Sequence, residues 1–145
     1  MINFFVPGIV RPGGSKTAVR RKDGGIGMRP ASKYTETWMS VVSYHARQHY
    51  QGELLTGVIK ASFIFTMKRP KNHYRTNGQL KDWAPLYHKS QPDVGKLVRS
   101  TEDALSGIIY RDDSQIAVRD EKKIYGEKIG VDVMIQEIED GRSNS

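Results

Sequence analysis

Between Ile59 and Met67 the side chains alternate, with Ile59, Ala61, Phe63, Phe65 and Met67 on one side and Lys60, Ser62, Ile64 and Thr66 on the other. A period of two is that of a β-strand. One face of this strand is too apolar to be left in water, so the rest of the chain must supply a layer to cover it. Two segments have the period of a helix. Ser32 is a plausible N-cap, with Glu36 in the first turns, for a helix running to about His49, and Tyr34, Trp38, Val41, Val42 and His45 recur at helical spacing as its expected buried stripe. A second helix fits residues 95–107, with Leu97, Thr101, Ala104, Leu105 and Ile108 on one face and Gly107 as its C-terminal signal.

Further strands complete the pattern. Ile2–Val6 reads as a first strand stopped by Pro7 and Gly8. Ile116, Val118 and Ile124 suggest another, and Ile129, Val131, Val133 and Ile135 its antiparallel neighbour, turned at Tyr125–Gly126. The order β, loop, α, β, loop, α, β, β predicts an α+β fold: a small mixed or antiparallel sheet with two helices packed on one face. The 145 residues suit one domain, placed over residues 1–138, with 139–145 as a polar C-terminal tail.

Cysteine is absent, which excludes a disulfide scaffold, a thiolate zinc site and a cysteine nucleophile. No apolar run approaches the roughly 20 residues of a membrane span. The opening MINFFVPGIVRPGG has no charged leader and is cut by Pro7, so no signal peptide is expected, and a soluble intracellular protein without a membrane partner is. The net charge of +7 is unevenly placed. Residues 1–80 carry 13 Lys/Arg against three acids, whereas residues 81–145 carry ten against 13. A basic half can hold a polyanion, and an acidic half can gather carboxylates around a cation.

The basic half has two concentrations. Residues 11–33 hold seven Lys/Arg (Arg11, Lys16, Arg20, Arg21, Lys22, Arg29 and Lys33) among five glycines, the composition of a loop or hairpin. Lys68-Arg69-Pro70-Lys71-Asn72-His73-Tyr74-Arg75 interleaves cations with an aromatic ring at the start of a long loop, 68–91. That pattern suits phosphate contacts plus stacking on an unpaired base. Lys16, Arg20, Arg21, Arg69, Lys71, His73 and Arg75 are therefore the candidate DNA contacts. A solvated surface would have the same composition. GGIG at 24–27 lacks the lysine and hydroxyl of a phosphate-binding loop, and GxGxxG is absent. His45 and His49 stand four apart with no acid between them, which favours structural histidines over a metal pair.

In the acidic half, Asp93 precedes the second helix and Asp112–Asp113 follow it. The two ends meet only if the chain after Gly107 folds back along the helix, and Ile108, Ile109 and Tyr110 supply apolar anchors for that return. Carboxylates so gathered bind Mg²⁺ through hard oxygen ligands. Lys96 and Arg99, one turn apart near Asp93, could then stabilise a pentacoordinate phosphate. The competing reading makes Asp93 a helix cap, Asp112–Asp113 a turn, and Arg99 an i,i+4 partner of Asp103.

The run Pro92-Asp93-Val94-Gly95-Lys96-Leu97-Val98-Arg99, then Glu102-Asp103-Ala104-Leu105-Ser106-Gly107, then Arg111-Asp112-Asp113-Ser114-Gln115-Ile116, resembles the RusA family of Holliday junction resolvases. That family shows Pro-Asp-x-Asp-Asn/Lys-Leu, a basic residue two positions on, Asp-Ala-Leu, and Asp-Asp-x-Gln-Val/Ile at these spacings. Pro12-Gly13-Gly14-Ser15 and the segment Arg69–Tyr74 agree with it, so the resemblance extends over most of residues 2–138. It implies a Mg²⁺-dependent endodeoxyribonuclease, with Mn²⁺ able to substitute, that acts as a homodimer. Such an enzyme cuts two opposed strands of four-way junction DNA in recombination, repair or phage DNA processing, in the cytoplasm of a bacterial or phage-infected cell. It also implies a metal site of Asp93 and Asp113 with Asp112 beside it, and catalytic roles for those three with Arg99 and Lys96.

One position departs from the pattern. Gly95 stands where the family motif has its second Asp, removing one charged oxygen donor. Water or Asp112 filling the gap, a weakened or inactive junction-binding member, and an introduced change are the three explanations open at this point.

Overall fold

The computed structural model describes residues 1–13, 16–20, 22, 24–30 and 32–140, with strands 16–20 and 26–30 described by their backbone alone. The chain runs β1 (Ile2–Pro7), β2 (Lys16–Arg20), β3 (Ile26–Pro30), α1 (Lys33–His49), β4 (Val58–Met67), α2 (Val94–Leu105), β5 (Ile116–Tyr125) and β6 (Gly130–Ile138), with short 3₁₀ turns at Lys71–His73 and Asp113–Gln115. The four-stranded sheet has the order β1-β6-β4-β5, and β2 and β3 pair as a separate antiparallel hairpin within the basic 11–33 segment. Arg21 and residues 141–145 lie outside the described residues. The fold is α+β with a mixed sheet, as the order of elements predicts.

The alternating strand is the centre of the sheet. β4 pairs antiparallel with β6 and parallel with β5. Ile59, Ala61, Phe63 and Phe65 of β4 are buried with Phe4 and Val6 of β1 and Val131, Val133 and Ile135 of β6. The helices close this face through Trp38, Val42 and Ala46 of α1 and Leu97, Val98, Ala104 and Leu105 of α2.

Two expectations are corrected here. The β5–β6 hairpin does not form, because β6 passes over to lie between β1 and β4. The burial pattern gives the reason. β6 buries Val131, Val133 and Ile135, as a central strand must, whereas β5 carries Arg119, Asp120, Glu121, Lys122 and Lys123 and tolerates only the edge. The buried stripe of α1 is also rotated: it is Thr35, Trp38, Val42 and Ala46. Tyr34 is 68% exposed, with the Arg11 guanidinium 4.9 Å from its ring centre.

Candidate active site

Asp93 is the N-cap of α2. Its Oδ1 accepts the Gly95 N–H at 2.8 Å, satisfying one of the donors that a helix start leaves open. The cap reading of this residue is correct as far as it goes, and it leaves the second carboxylate oxygen unengaged by that bond. Lys123 of β5 holds the segment just ahead of it. Its ammonium donates to the carbonyls of Ser90 and Pro92, and burial lowers its pKa against the pull of Asp93.

Beyond Gly107, whose φ of +82° suits a residue without a Cβ, the chain turns back along α2. Ile109 and Tyr110 are fully buried, and the Tyr110 hydroxyl donates to the Glu102 carbonyl at 2.8 Å. Burial, with Glu102 and Asp113 adding to it, raises the pKa of that hydroxyl. The return delivers the turn Asp113–Gln115, which Gln115 fixes. Its Nε2 donates to the carbonyls of Leu55 and Gly57 at 2.9 and 3.0 Å, while its Oε1 accepts the Asp112 N–H at 2.9 Å. Asp112 completes the capping box: its Oδ2 accepts the Ser114 N–H at 3.0 Å, and the Ser114 hydroxyl, with that backbone bond behind it, lowers its pKa.

These two supports bring Asp93 and Asp113 to one cavity of about 470 Å³, lined also by Gly95, Lys96, Arg99, Glu102, Asp103 and Arg119. Of the residues singled out in sequence, Asp93, Asp113, Lys96 and Arg99 thus share one site. Asp112 is exposed and is not among the lining residues. Two lining groups escaped the sequence reading. Glu102 is 8% exposed, and its Oε1 accepts a 3.0 Å bond from Arg119 Nη1. Burial pushes its carboxyl up, Arg119 pulls the other way, and Asp113 and Asp103 add to the rise. Arg119 also bonds Glu121 at 3.1 and 3.2 Å, so one guanidinium pairs with two carboxylates. Spacing could have shown Glu102, which stands seven residues from Gly95 and three from Arg99 on one helical face. Arg119 gave no such signal, since its position depends on the register of β5.

The start of the basic 11–33 segment adjoins this cavity at Lys96. Residues 11–13 are clamped between the helices, with Ser100 Oγ donating to Arg11 O at 2.7 Å, Thr35 Oγ1 to Pro12 O at 2.8 Å, and Gly13 N to Lys96 O at 2.8 Å. A Cβ on Gly13 would lie 3.0 Å from that of Ser100, so the approach needs a residue this small.

In the 68–91 loop the candidate contacts divide. Lys71 is exposed, and Arg75 pairs with Asp82 at 3.1 Å. Arg69 instead donates to the Pro85 carbonyl at 2.8 Å and lies over the Tyr125 ring, and His73 is buried between Trp83 and Tyr125. Arg69 and His73 build the loop. His45 and His49 are likewise structural: His49 stacks on Phe4, and its Nδ1 bonds His45 O.

Against known families, residues 10–136 match the sequence model of the endodeoxyribonuclease RusA. The chain belongs to the RusA family. A relative, "Uncharacterized protein YqaN" of Bacillus subtilis (strain 168), is 32% identical over 121 residues, covering 81% of this chain and 83% of its own length. RusA membership makes the fold that of a Holliday-junction endonuclease family and places the acidic cavity within the matched region. No helix of the described residues is long and apolar enough to cross a membrane.

Proposed function

We propose that the chain is a divalent-metal-dependent endonuclease of four-way DNA junctions, cutting paired strands as a two-fold homodimer, with Asp93 and Asp113 as its metal ligands. The observation that carries this reading is the cavity itself: Asp93 and Asp113, 20 positions apart in sequence, line it together with three cations, Lys96, Arg99 and Arg119. The donor set fits Mg²⁺. Among the described residues no three acidic or histidine side chains form a cation cage. Mg²⁺ keeps several waters and is usually held by one or two carboxylates plus substrate phosphate, so two aspartates suffice. When bound, such an ion supplies a water activated at neutral pH and charge neutralisation at the phosphodiester.

The chain's own residues do the remainder. Arg99 and Lys96 hold the scissile phosphate by its non-bridging oxygens and balance the charge that grows on it. Asp112 and Gln115 keep the turn rigid so that Asp113 faces the cavity. Arg119 holds Glu102 and Glu121 in ion pairs, which limits the repulsion that a loose pair of carboxylates would exert on DNA. The cations Lys16, Arg20 and Arg21 of the 11–33 segment, with Lys71 and Arg75, bind the arms through phosphates. A symmetric junction met by two such sites requires a two-fold protein.

Gly95 leaves this site one carboxylate short of the family motif, so cutting is slow and binding is retained. The test is single-turnover cleavage of a labelled four-way junction with excess Mg²⁺, beside a linear duplex of the same sequence. Paired cuts confined to the junction support the reading. Equal cutting of both substrates, or no binding to either, overturns it.

A further inference from the structure

The second stretch of the long loop, Leu80–Tyr87, does something unusual for a small protein's surface. Trp83 is 59% exposed and Tyr87 60%, with Leu80 and Leu86 also exposed beside them. Such a run of exposed apolar side chains marks a contact surface rather than a solvated loop.

The segment is also held rigidly. Ala84 N–H bonds Lys81 O at 3.0 Å, Arg69 grips Pro85 O, Tyr125 N–H bonds Leu86 O at 2.8 Å, and His88 N–H bonds Lys123 O at 3.0 Å. His73 packs edge-on against the Trp83 ring, 5.4 Å between centres. The backbone under both rings is therefore fixed, and the Trp83 ring is braced by His73, so little freedom is lost on contact. Cations accompany them: Lys81 Nζ stands 5.5 Å from the Trp83 ring centre, and Lys89, Lys122 and Lys123 line the cavity of about 520 Å³ that Tyr87 shares with Asp93. Flat exposed rings beside lysines are the two components of a single-stranded nucleic-acid site, where the rings stack on bases and the cations track the backbone.

We infer that Trp83 and Tyr87 form a stacking platform for unpaired bases of DNA, with Tyr87 on the cavity that Asp93 also lines, so that a strand splayed from a branch point is held as it reaches Asp93. This deepens the junction-nuclease reading and rests on it for the role of Asp93. Stacking by the platform itself does not depend on cutting. The position fits the occupant, because Asp93 lines both the lysine-bearing cavity and the acidic one. A strand lying along Lys89 and Lys122 therefore arrives at the site with its bases already unstacked from a partner.

The chain offers its own probe. It has two tryptophans, and Trp38 is 3% exposed in the core, so quenching of tryptophan fluorescence by an oligonucleotide reports Trp83. The experiment titrates the full chain, without divalent metal, with a 12-nucleotide oligo(dT), with the corresponding duplex, and with a four-way junction. Saturable quenching by oligo(dT) and by the junction, and much less by duplex, is expected. Tyr87→Ala should weaken oligo(dT) binding about 5- to 150-fold, the range for loss of one stacked base, and leave duplex affinity unchanged. Tyr87→Phe and Trp83→Tyr, which keep a ring, should retain binding.

Unquenched fluorescence together with unchanged oligo(dT) affinity in Tyr87→Ala overturns the platform, even if junctions are still bound and cut. Quenching by oligo(dT) in a chain that does not distinguish junction from duplex keeps the platform and removes the junction reading. Conversion of a dimer to a monomer by Trp83→Ala and Tyr87→Ala, seen by sedimentation, would assign the rings to self-association and overturn the proposal.

Discussion

Gly95 and Asp93 share the first turn of α2, and their geometry explains what a missing side chain does there. A Cβ on residue 95 would lie 3.2 Å from Asp93 Oδ1, close enough that the carboxylate must give by a few tenths of an ångström. Gly95→Asp adds an oxygen donor and a negative charge near the helix N-terminus, which that end of a helix favours. It should raise single-turnover junction cleavage about tenfold or more, equivalent to about 1.4 kcal/mol of barrier. Junction affinity without metal should fall slightly, since the new charge faces phosphate. A variant that cuts no faster than the parent would remove the missing-ligand explanation.

His88 gives a separate prediction. Burial, reinforced by Lys123, lowers its pKa from the ordinary 6.5. The folded chain then binds fewer protons than the unfolded one just below that value, so stability is fully present above pH 6.5 and is lost as pH falls through the depressed folded pKa. Melting temperatures measured from pH 7.5 down to 5 should fall less steeply in His88→Phe than in the parent. Parallel curves would show that His88 is not the group responsible.

Gln115 is where an element depends on one side chain. Gln115→Ala leaves the Leu55 and Gly57 carbonyls without their side-chain donor and unties the cap, which should cost about 1–3 kcal/mol in urea unfolding. Cleavage should fall as well, because the turn no longer fixes Asp113. Loss of stability without loss of cutting would separate that turn from the site. How much of this was readable from sequence follows the range of the interactions. The β4 alternation, the Ser32 and Asp93 caps and the Gly107 stop are local signals, and each appears in the fold where the pattern puts it. The motif spacing likewise marked Asp93 and Asp113, which line one cavity. The place of β6 between β1 and β4 is a competition between strands distant in the chain, so adjacency in sequence pointed to the wrong neighbour. Arg69 and His73 look like free cations in sequence, and only the packing of Tyr125 and Pro85 against them shows that they are building material. Glu102 was readable in principle from its helical phase. Arg119 was not, because nothing local states which groups an edge strand will face.

The distribution of charge governs how the chain meets DNA. Binding should weaken steeply with salt, each neutralised phosphate contributing about 0.9 to the log–log slope. Lys71→Gln should flatten that slope by about one such step, whereas Arg69→Gln should instead lower stability, given its bond to Pro85. Light scattering at micromolar concentration should give the mass of a dimer, as a two-fold substrate requires. A monomer with and without junction DNA would contradict paired cutting. The most direct test compares the parent chain with Asp93→Asn and with Asp113→Asn, measuring junction binding by mobility shift and single-turnover cleavage with Mg²⁺ in excess. Both variants should bind the junction as the parent does and lose its residual cutting. Undiminished cleavage by either variant would mean that the cavity shared by Asp93 and Asp113 is not where the strand is cut.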